Sequence, residues 1–399
     1  MRVCHIGNPN SLNIKIFIEF FSRQGHEVHT FGWGPYIHEM NENIHHHDFK
    51  KVKNGKNPKK EMKLITKDTK ITPGKRNPYA KVLFDIYEFL VIKHKIRKIQ
   101  PDIIHGHEAA GNGYITSSFK KIPTILTCWG SDINKFPRES KWIHYKVNRA
   151  LHDVDLIHVT NEDFGKTISK DFNVDFEKIR NIPWGVETEV FDQDALEPEK
   201  LEKLRKRFGL ERKDMVITYT AGFRDSKLQN YVNLVKAFAE VSKKYDNVKL
   251  LLMAYNRRSG IDEVTGILDR EKLWDRVRII DDYLPHDDMP YVFGLTDIMT
   301  LLHDVDQMSV SISESMLMGC VNLFSSINTY RNAFKDNEHC IFVNQKDPKD
   351  IAEKLTYMIE NLADLKGRFS PVNMERIKKN NSRDVQMRKI EDMYGSIMK

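Results

Sequence analysis

The chain has 399 residues, of which 40% are hydrophobic and 30% charged, with a net charge of +7. That is too long for one ordinary core and gives enough apolar side chains for roughly two or three. No uncharged apolar stretch reaches the roughly 18 residues a membrane span needs, and the scattered Cys4, Cys128, Cys320 and Cys340 form neither a metal-ligand spacing nor a disulfide framework.

The start, "MRVCHIGNPN", enters a strand-like run without the basic end and long apolar stretch of a signal peptide, so a cytoplasmic protein is expected. "RVCHIG" reads as a strand, "LNIKIFIEFFSRQG" as an amphipathic helix closed by Gly25, and "HEVHTFG" as the next strand. The cluster "HHHD", His45 to Asp48, offers metal-ligand side chains, but it lies in a polar, loop-like stretch without cysteine partners. No metal site is expected there.

Residues 50–76 then hold 11 basic and 2 acidic side chains. Residues 1–150 contain 26 Lys+Arg against 13 Asp+Glu, so the rest of the chain is net acidic. The basic segment is either a solvated loop or a contact for an anionic membrane surface or acceptor. Nucleic acid is not expected, because few aromatics interleave with the lysines as stacking platforms.

A helical pattern through "YAKVLFDIYEFLVIKHKIRKIQ" leads to three further strand-like runs, "PDIIHGH", "IPTILTCWG" and "DLIHVT". Strands alternating with helices in this way predict a parallel sheet covered on both faces. The charged stretch "DQDALEPEKLEKLRKRFGLERKD" separates "RNIPWGVETEVF" from a restart of the pattern. The strand "MVITYTAG" and the helix "NYVNLVKAFAEVSKKY" come next, then the strands "VKLLLMAY", "VRIIDDY", "DIMTLL", "VNLFS" and "CIFVN". Two consecutive α/β domains are expected, 1–190 and 195–370, with 371–399 a helical segment able to pack back on the first.

In such sheets, ligands bind beyond the carboxyl ends of the strands. One such place is "TAGFRDSKLQN", where Gly222 permits a close turn and Arg224 and Lys227 precede a helix, an arrangement suited to a diphosphate. Another is "DQMSVSISESMLMGC", a loop and then a helix. Ser311 and Glu314 match a capping box, in which the glutamate serves its own helix start. The alternative is that Glu314 accepts hydrogen bonds from vicinal hydroxyls such as those of a ribose, while Ser309, Ser311 and Ser313 offer hydroxyls to a phosphate. "DVD" at 304–306 also occurs at 153–155, so the tripeptide by itself does not indicate a metal.

Seven stretches together resemble a known family in the family's own order: "RQGHEVHTFG", "PDIIHGHEAAGNG", "TCWGSDI", "VDLIHVTNED", "KIRNIPWGVETEVF", "AGFRDSKLQN", and "DQMSVSISESMLMG" followed by "VNLF". Almost the whole chain is similar to the retaining glycosyltransferases of family 4 (glycosyltransferase group 1), of the GT-B fold. The resemblance implies an α/β protein of two Rossmann-like, doubly wound parallel-sheet domains facing across a cleft, with the acceptor on the N-terminal domain and a nucleotide-sugar donor on the C-terminal one. It implies that Glu314 binds the donor ribose, that Asp306 with the backbone of Met308, Ser309 and Val310 holds the transferred sugar, and that Arg224 and Lys227 neutralise the diphosphate. Gly222 and Ser311 complete the donor side; Gly7, His107, Trp129 and Asp132 are the acceptor-side candidates.

The chain departs from the family's pattern in places. Asp306 stands where Glu is usual, Gln229 occupies the counted Lys position that Lys227 replaces by charge, and Trp129 stands where many members carry His. The implied reaction is transfer of a sugar to a hydroxyl of a glycan or lipid-linked acceptor, with retained configuration and without a metal, in cell-surface polysaccharide or lipopolysaccharide synthesis. The location would be cytoplasmic, peripheral at the inner membrane face. A non-catalytic sugar-nucleotide-binding subunit and another GT-B enzyme, such as an epimerase or phosphorylase, are the alternatives.

Overall fold

The structure is a computed structural model and describes residues 1–32, 36, 38, 40–48, 78–220, 226–254, 259–282 and 284–398. The basic segment 50–76, Gly222 and Arg224 lie outside the described residues. The chain divides into two compact units, Met1–Ile182 with Met387–Lys399, and Pro183–Gln386.

Among the described residues the first unit is built on seven parallel strands: β1 (Arg2–Ile6), β2 (Glu27–Gly32), β3 (Ile44–Asp48), β4 (Ile103–His107), β5 (Thr124–Thr127), β6 (Leu156–Val159) and β7 (Ile179–Asn181). Their order, β3-β2-β1-β4-β5-β6-β7, reverses direction between β1 and β4. The stretch "HHHD" therefore is not a loop. Residues 44–48 pair in register with β2, His29 beside His45 and Phe31 beside His47, and form the edge strand.

Helix Leu12–Arg23 forms because Ile14, Phe17, Ile18 and Phe21 recur at helical spacing and all are buried. It stops at Gly25, whose φ of +77° lets the His26 N–H reach back to the Phe21 carbonyl at 3.0 Å. The last helix, Arg383–Gly395, brings Met387, Ile390 and Tyr394 into the core of this unit, where Tyr394 stacks on Phe21 with ring centroids 4.5 Å apart.

Buried polar groups behind that ring form one directional chain. The Ile182 carbonyl can only accept, so Nε2 of His158 donates to it at 2.7 Å. Burial lowers the pKa of His158 to about 4, so the ring is neutral and its Nδ1 accepts from the Thr127 hydroxyl at 2.9 Å. Thr127 in turn accepts from Nε2 of His105 at 2.6 Å, which leaves His105 Nδ1 to accept from the Tyr394 hydroxyl. One carbonyl thus fixes both histidine tautomers.

Among the described residues the second unit holds six parallel strands: β8 (Met215–Tyr219), β9 (Val248–Met253), β10 (Val277–Ile280), β11 (Ile298–Leu301), β12 (Val321–Ser325) and β13 (Ile341–Val343). Their order is β10-β9-β8-β11-β12-β13, with the reversal between β8 and β11. Helix Tyr231–Ser242 buries Tyr231, Leu234, Val235 and Phe238 in a core shared with Ile217, Leu250 and Leu252. No helix among the described residues is long and apolar enough to cross a membrane.

Candidate functional site

Where strand order reverses, the connections after two neighbouring strands leave in opposite directions and open a crevice at their carboxyl ends. In the second unit those strands are β8 and β11, paired Ile217 to Ile298 and Tyr219 to Thr300. The two following segments are tied together. The Asp304 N–H donates to the Leu228 carbonyl at 2.8 Å, and the Asn230 amide donates to the Leu302 carbonyl at 2.8 Å and to Asp304 at 2.9 Å. Lys227 lies in the short helix Ser226–Gln229 at this place, described there by its backbone alone, and Gln229 is buried.

After β11 the chain turns through His303 to Ser309 into helix Val310–Leu317. Asp306 closes the turn: its Oδ2 accepts the Ser309 N–H at 2.8 Å and the Tyr330 hydroxyl at 3.0 Å, while Oδ1 lies 3.5 Å from Nδ1 of His303. Burial alone would push this carboxyl up. The His303 ring, the Ser309 N–H and the Tyr330 hydroxyl outweigh it and hold Asp306 below its ordinary pKa. Met308, inside the turn, takes a φ of +65°, a left-handed backbone that a side chain rarely adopts. The Ser309 and Ser311 hydroxyls pair with each other at 2.8 Å.

The helix begins one residue after Ser309, so Ser311 is inside it and Glu314 belongs to its second turn. The capping-box alternative for Glu314 is therefore excluded, since that motif needs the glutamate three residues after the cap. Glu314 is 7% exposed, and no hydrogen bond holds its carboxylate among the described residues. Burial pushes its pKa up to about 7, against the charges of His286 and Arg383, which pull it down.

Those two side chains belong to a cluster that the sequence did not reveal. His286 Nε2 lies 3.1 Å from Glu187 Oε2, and an Arg383 nitrogen lies 3.7 Å from Glu187 Oε1. Arg383 also donates to the Gly185 carbonyl at 3.2 Å, and Val186 exchanges backbone hydrogen bonds with Asn381 and Arg383. The hydrogen bond to Glu187 raises the pKa of His286, and the charge of Glu314 adds to it. Three segments separated by about a hundred residues each supply this cluster, so no local motif carries it; only the quoted "GVETEVF" touched it.

In the first unit the reversal point lies between β1 and β4, and Gly7 and His107 stand at their carboxyl ends. A Cβ on Gly7 would lie 2.6 Å from Ile14 Cδ1 and 3.2 Å from His107 Cβ, so the position accepts only glycine without displacement. His107 is fully buried, its Nε2 3.1 Å from Nδ1 of His5, and burial keeps it neutral, with its pKa well below the ordinary value. Trp129 sits edge-on to it at 6.5 Å.

Asp132 is fully buried and accepts the N–H groups of Ala109 at 2.9 Å and Gly130 at 2.7 Å, which joins the loops after β4 and β5. Burial raises its pKa against those N–H bonds. Sequence reasoning passed over Glu108, which holds a φ of +82° and accepts from Ala110 at 2.8 Å and Gly111 at 2.9 Å.

Known proteins resemble this arrangement. Residues 2–161 match the family model described as glycosyl transferase 4-like, and residues 201–372 match that of glycosyl transferases group 1. A segment of 123 residues is 31% identical to the putative teichuronic acid biosynthesis glycosyltransferase TuaC of Bacillus subtilis (strain 168). That match covers 29% of this chain and 29% of the relative's length. A glycosyltransferase from Rickettsia africae ESF-5 superposes with a TM-score of 0.75 at 17% identity, over 100% of this chain and 98% of its own. Anabaena Alr3699/HepE in complex with UDP-glucose does so with a TM-score of 0.73 at 14% identity, over 100% of both chains. The fold is GT-B.

Proposed function

We propose that this chain, a GT-B glycosyltransferase by its two family domains and its fold, transfers a sugar from a nucleotide-sugar donor to a glycan or lipid-linked hydroxyl with retention of configuration. The observation that carries the donor site is Glu314. The Glu314 side chain is nearly buried, takes no hydrogen bond from the described residues and stands beside the reversal point where ligands bind, so its oxygens are open to donors that a ligand supplies. Ribose hydroxyls are such donors. A UDP-sugar is the first donor to test, because the Anabaena protein is described with UDP-glucose.

In this reading the donor's anomeric C–O bond to the diphosphate breaks, and its electron pair leaves with the phosphate oxygen. The acceptor oxygen forms the new bond on the same face, and the departing diphosphate takes the acceptor proton. Arg224 and Lys227 neutralise the charge growing on the diphosphate, so no metal is required. Asp306, held by His303, Ser309 and Tyr330, orients the turn on which the sugar rests, with Met308, Val310 and Ser311 beside it. Gly222 gives the diphosphate a close backbone approach.

The acceptor lies on the first unit's loops around Gly7, His107, Trp129 and Asp132. The product belongs to polysaccharide synthesis, a reading supported by the Bacillus subtilis relative, which is described as a putative teichuronic acid biosynthesis glycosyltransferase. The basic segment 50–76 brings the protein to an anionic membrane surface, where the lipid-linked acceptor resides.

A non-catalytic sugar-nucleotide-binding subunit is the second reading. The engagement of Asp306 Oδ2 by the Ser309 N–H and the Tyr330 hydroxyl favours it, because that oxygen is already used in holding the turn. Incubation with a panel of nucleotide sugars and glycan acceptors, followed by NMR of the new linkage, separates these outcomes. A product with the donor's anomeric configuration supports the proposal, inversion overturns retention, and donor binding without turnover selects the second reading.

A further inference from the structure

At the β3 edge of the first sheet, as described, stands a group of side chains apart from the acceptor-side candidates. β2 and β3 run parallel, with His29 directly beside His45. Strand alternation puts Glu27 and His29 on one face, with His45 and His47 next to them. One oxygen of Glu27 and one nitrogen each of His29 and His45 lie within 4.8 Å of one another.

The surroundings favour an ion here. Glu27 Oε2 receives the Arg2 guanidinium at 2.8 Å, so Oε1 is the oxygen turned toward His29 Nε2, 2.9 Å away. Adjacent ligands on a tetrahedral zinc ion with bonds of about 2.0–2.1 Å stand roughly 3.3 Å apart, so this pair is already nearly in place. On its other side, His29 Nδ1 lies 2.9 Å from Nε2 of His47. An ion on Nε2 requires the proton on Nδ1, and His47 is placed to accept it, in the position that a carboxylate, carbonyl or water takes beside other metal-bound imidazoles. His45 is exposed, its ring 4.9 Å from that of His29, and can rotate to offer its nitrogen. Among the described residues no strand pairs with the outer side of β3, and the exposure of His45 leaves room for water to complete the coordination.

We propose that Glu27, His29 and His45 form a solvent-open site for a divalent transition ion of the zinc class, with Arg2 and His47 holding two of the ligands in orientation. Two imidazoles and one carboxylate are a donor set suited to zinc, and the bound ion clips the edge strand to the sheet.

The test is calorimetric titration of the chelator-stripped full chain with zinc chloride, with cobalt(II) absorption as a second readout of tetrahedral geometry. Wild type should bind one ion at this site. His47→Ala should weaken it by about 10–100-fold, and His45→Ala and Glu27→Gln by more. His152→Ala, which removes an exposed imidazole bound to the Asn148 carbonyl elsewhere on the unit, should change nothing. Because His45 is exposed, its substitution should leave the circular dichroism of the apo protein unaltered. Absence of zinc binding by wild type, or equal affinity in His45→Ala, would overturn the assignment. Neither outcome bears on the donor site, which lies in the other unit.

Discussion

Asp306 and Glu314 share one loop-to-helix segment but have opposite surroundings: Asp306 has the Ser309 N–H, the Tyr330 hydroxyl and the His303 ring around it, whereas burial raises the Glu314 pKa to about 7 with no hydrogen bond on its carboxylate among the described residues. The first is shaped by the protein, the second left for something else.

The raised pKa of Glu314 has a signed consequence. Between its ordinary pKa of 4.5 and about 7, the folded state holds a proton that the unfolded state has lost, so stability falls as pH rises through this window. Glu314→Gln removes the titration. The variant should match wild type near pH 5 and exceed it by about 3 kcal/mol near pH 8. Denaturant unfolding at the two pH values checks this, and a constant difference between the proteins would contradict it.

Tyr330→Phe deletes one hydrogen bond to Asp306 and leaves the ring in place. The variant should lose about 1 kcal/mol of stability, and the Asp306 carboxyl should move up toward its ordinary range. If Asp306 positions the sugar, kcat should fall about tenfold while nucleotide affinity stays constant. Steady-state kinetics beside nucleotide titration read both.

Tyr394→Phe cuts the first link of the chain through His105, Thr127 and His158. The Nδ1 of His105 is then buried without a donor, at a cost of about 1–3 kcal/mol. The loss should appear in the melting of the first unit and leave nucleotide binding by the second unchanged.

Gly185→Ala places a Cβ 2.8 Å from the Arg383 Cα and 2.9 Å from the Ser382 carbonyl oxygen, at a φ of +69°. Backbone cannot retreat as a side-chain tip can, so a loss of about 2 kcal/mol or more is expected. The pairing of 186 with 381–383 that presents Glu187 and Arg383 should weaken with it, detectable as a lower melting temperature.

The strands were legible because alternation and β-branched runs mark them locally: "MVITYTAG" holds β8 and "VNLFS" is β12. "HHHD" was missed as a strand because histidines carry no hydrophobic alternation; its pairing comes from β2. The helix at Val310 was legible in the sequence, with Ser309 at its start; only the capping-box alternative, which takes Ser311 as the cap, fails, because the cap is Ser309. The cluster of Glu187, His286 and Arg383 was invisible because only tertiary structure brings the three together.

Titration of the metal-free protein with UDP and UDP-glucose, wild type against Glu314→Gln, tests the central claim most directly. The account predicts metal-independent binding by wild type, weakened by about tenfold or more in the variant, whose carboxamide accepts ribose hydroxyls less well. Equal affinity in the two proteins would contradict the assignment of the buried Glu314 carboxylate to the donor.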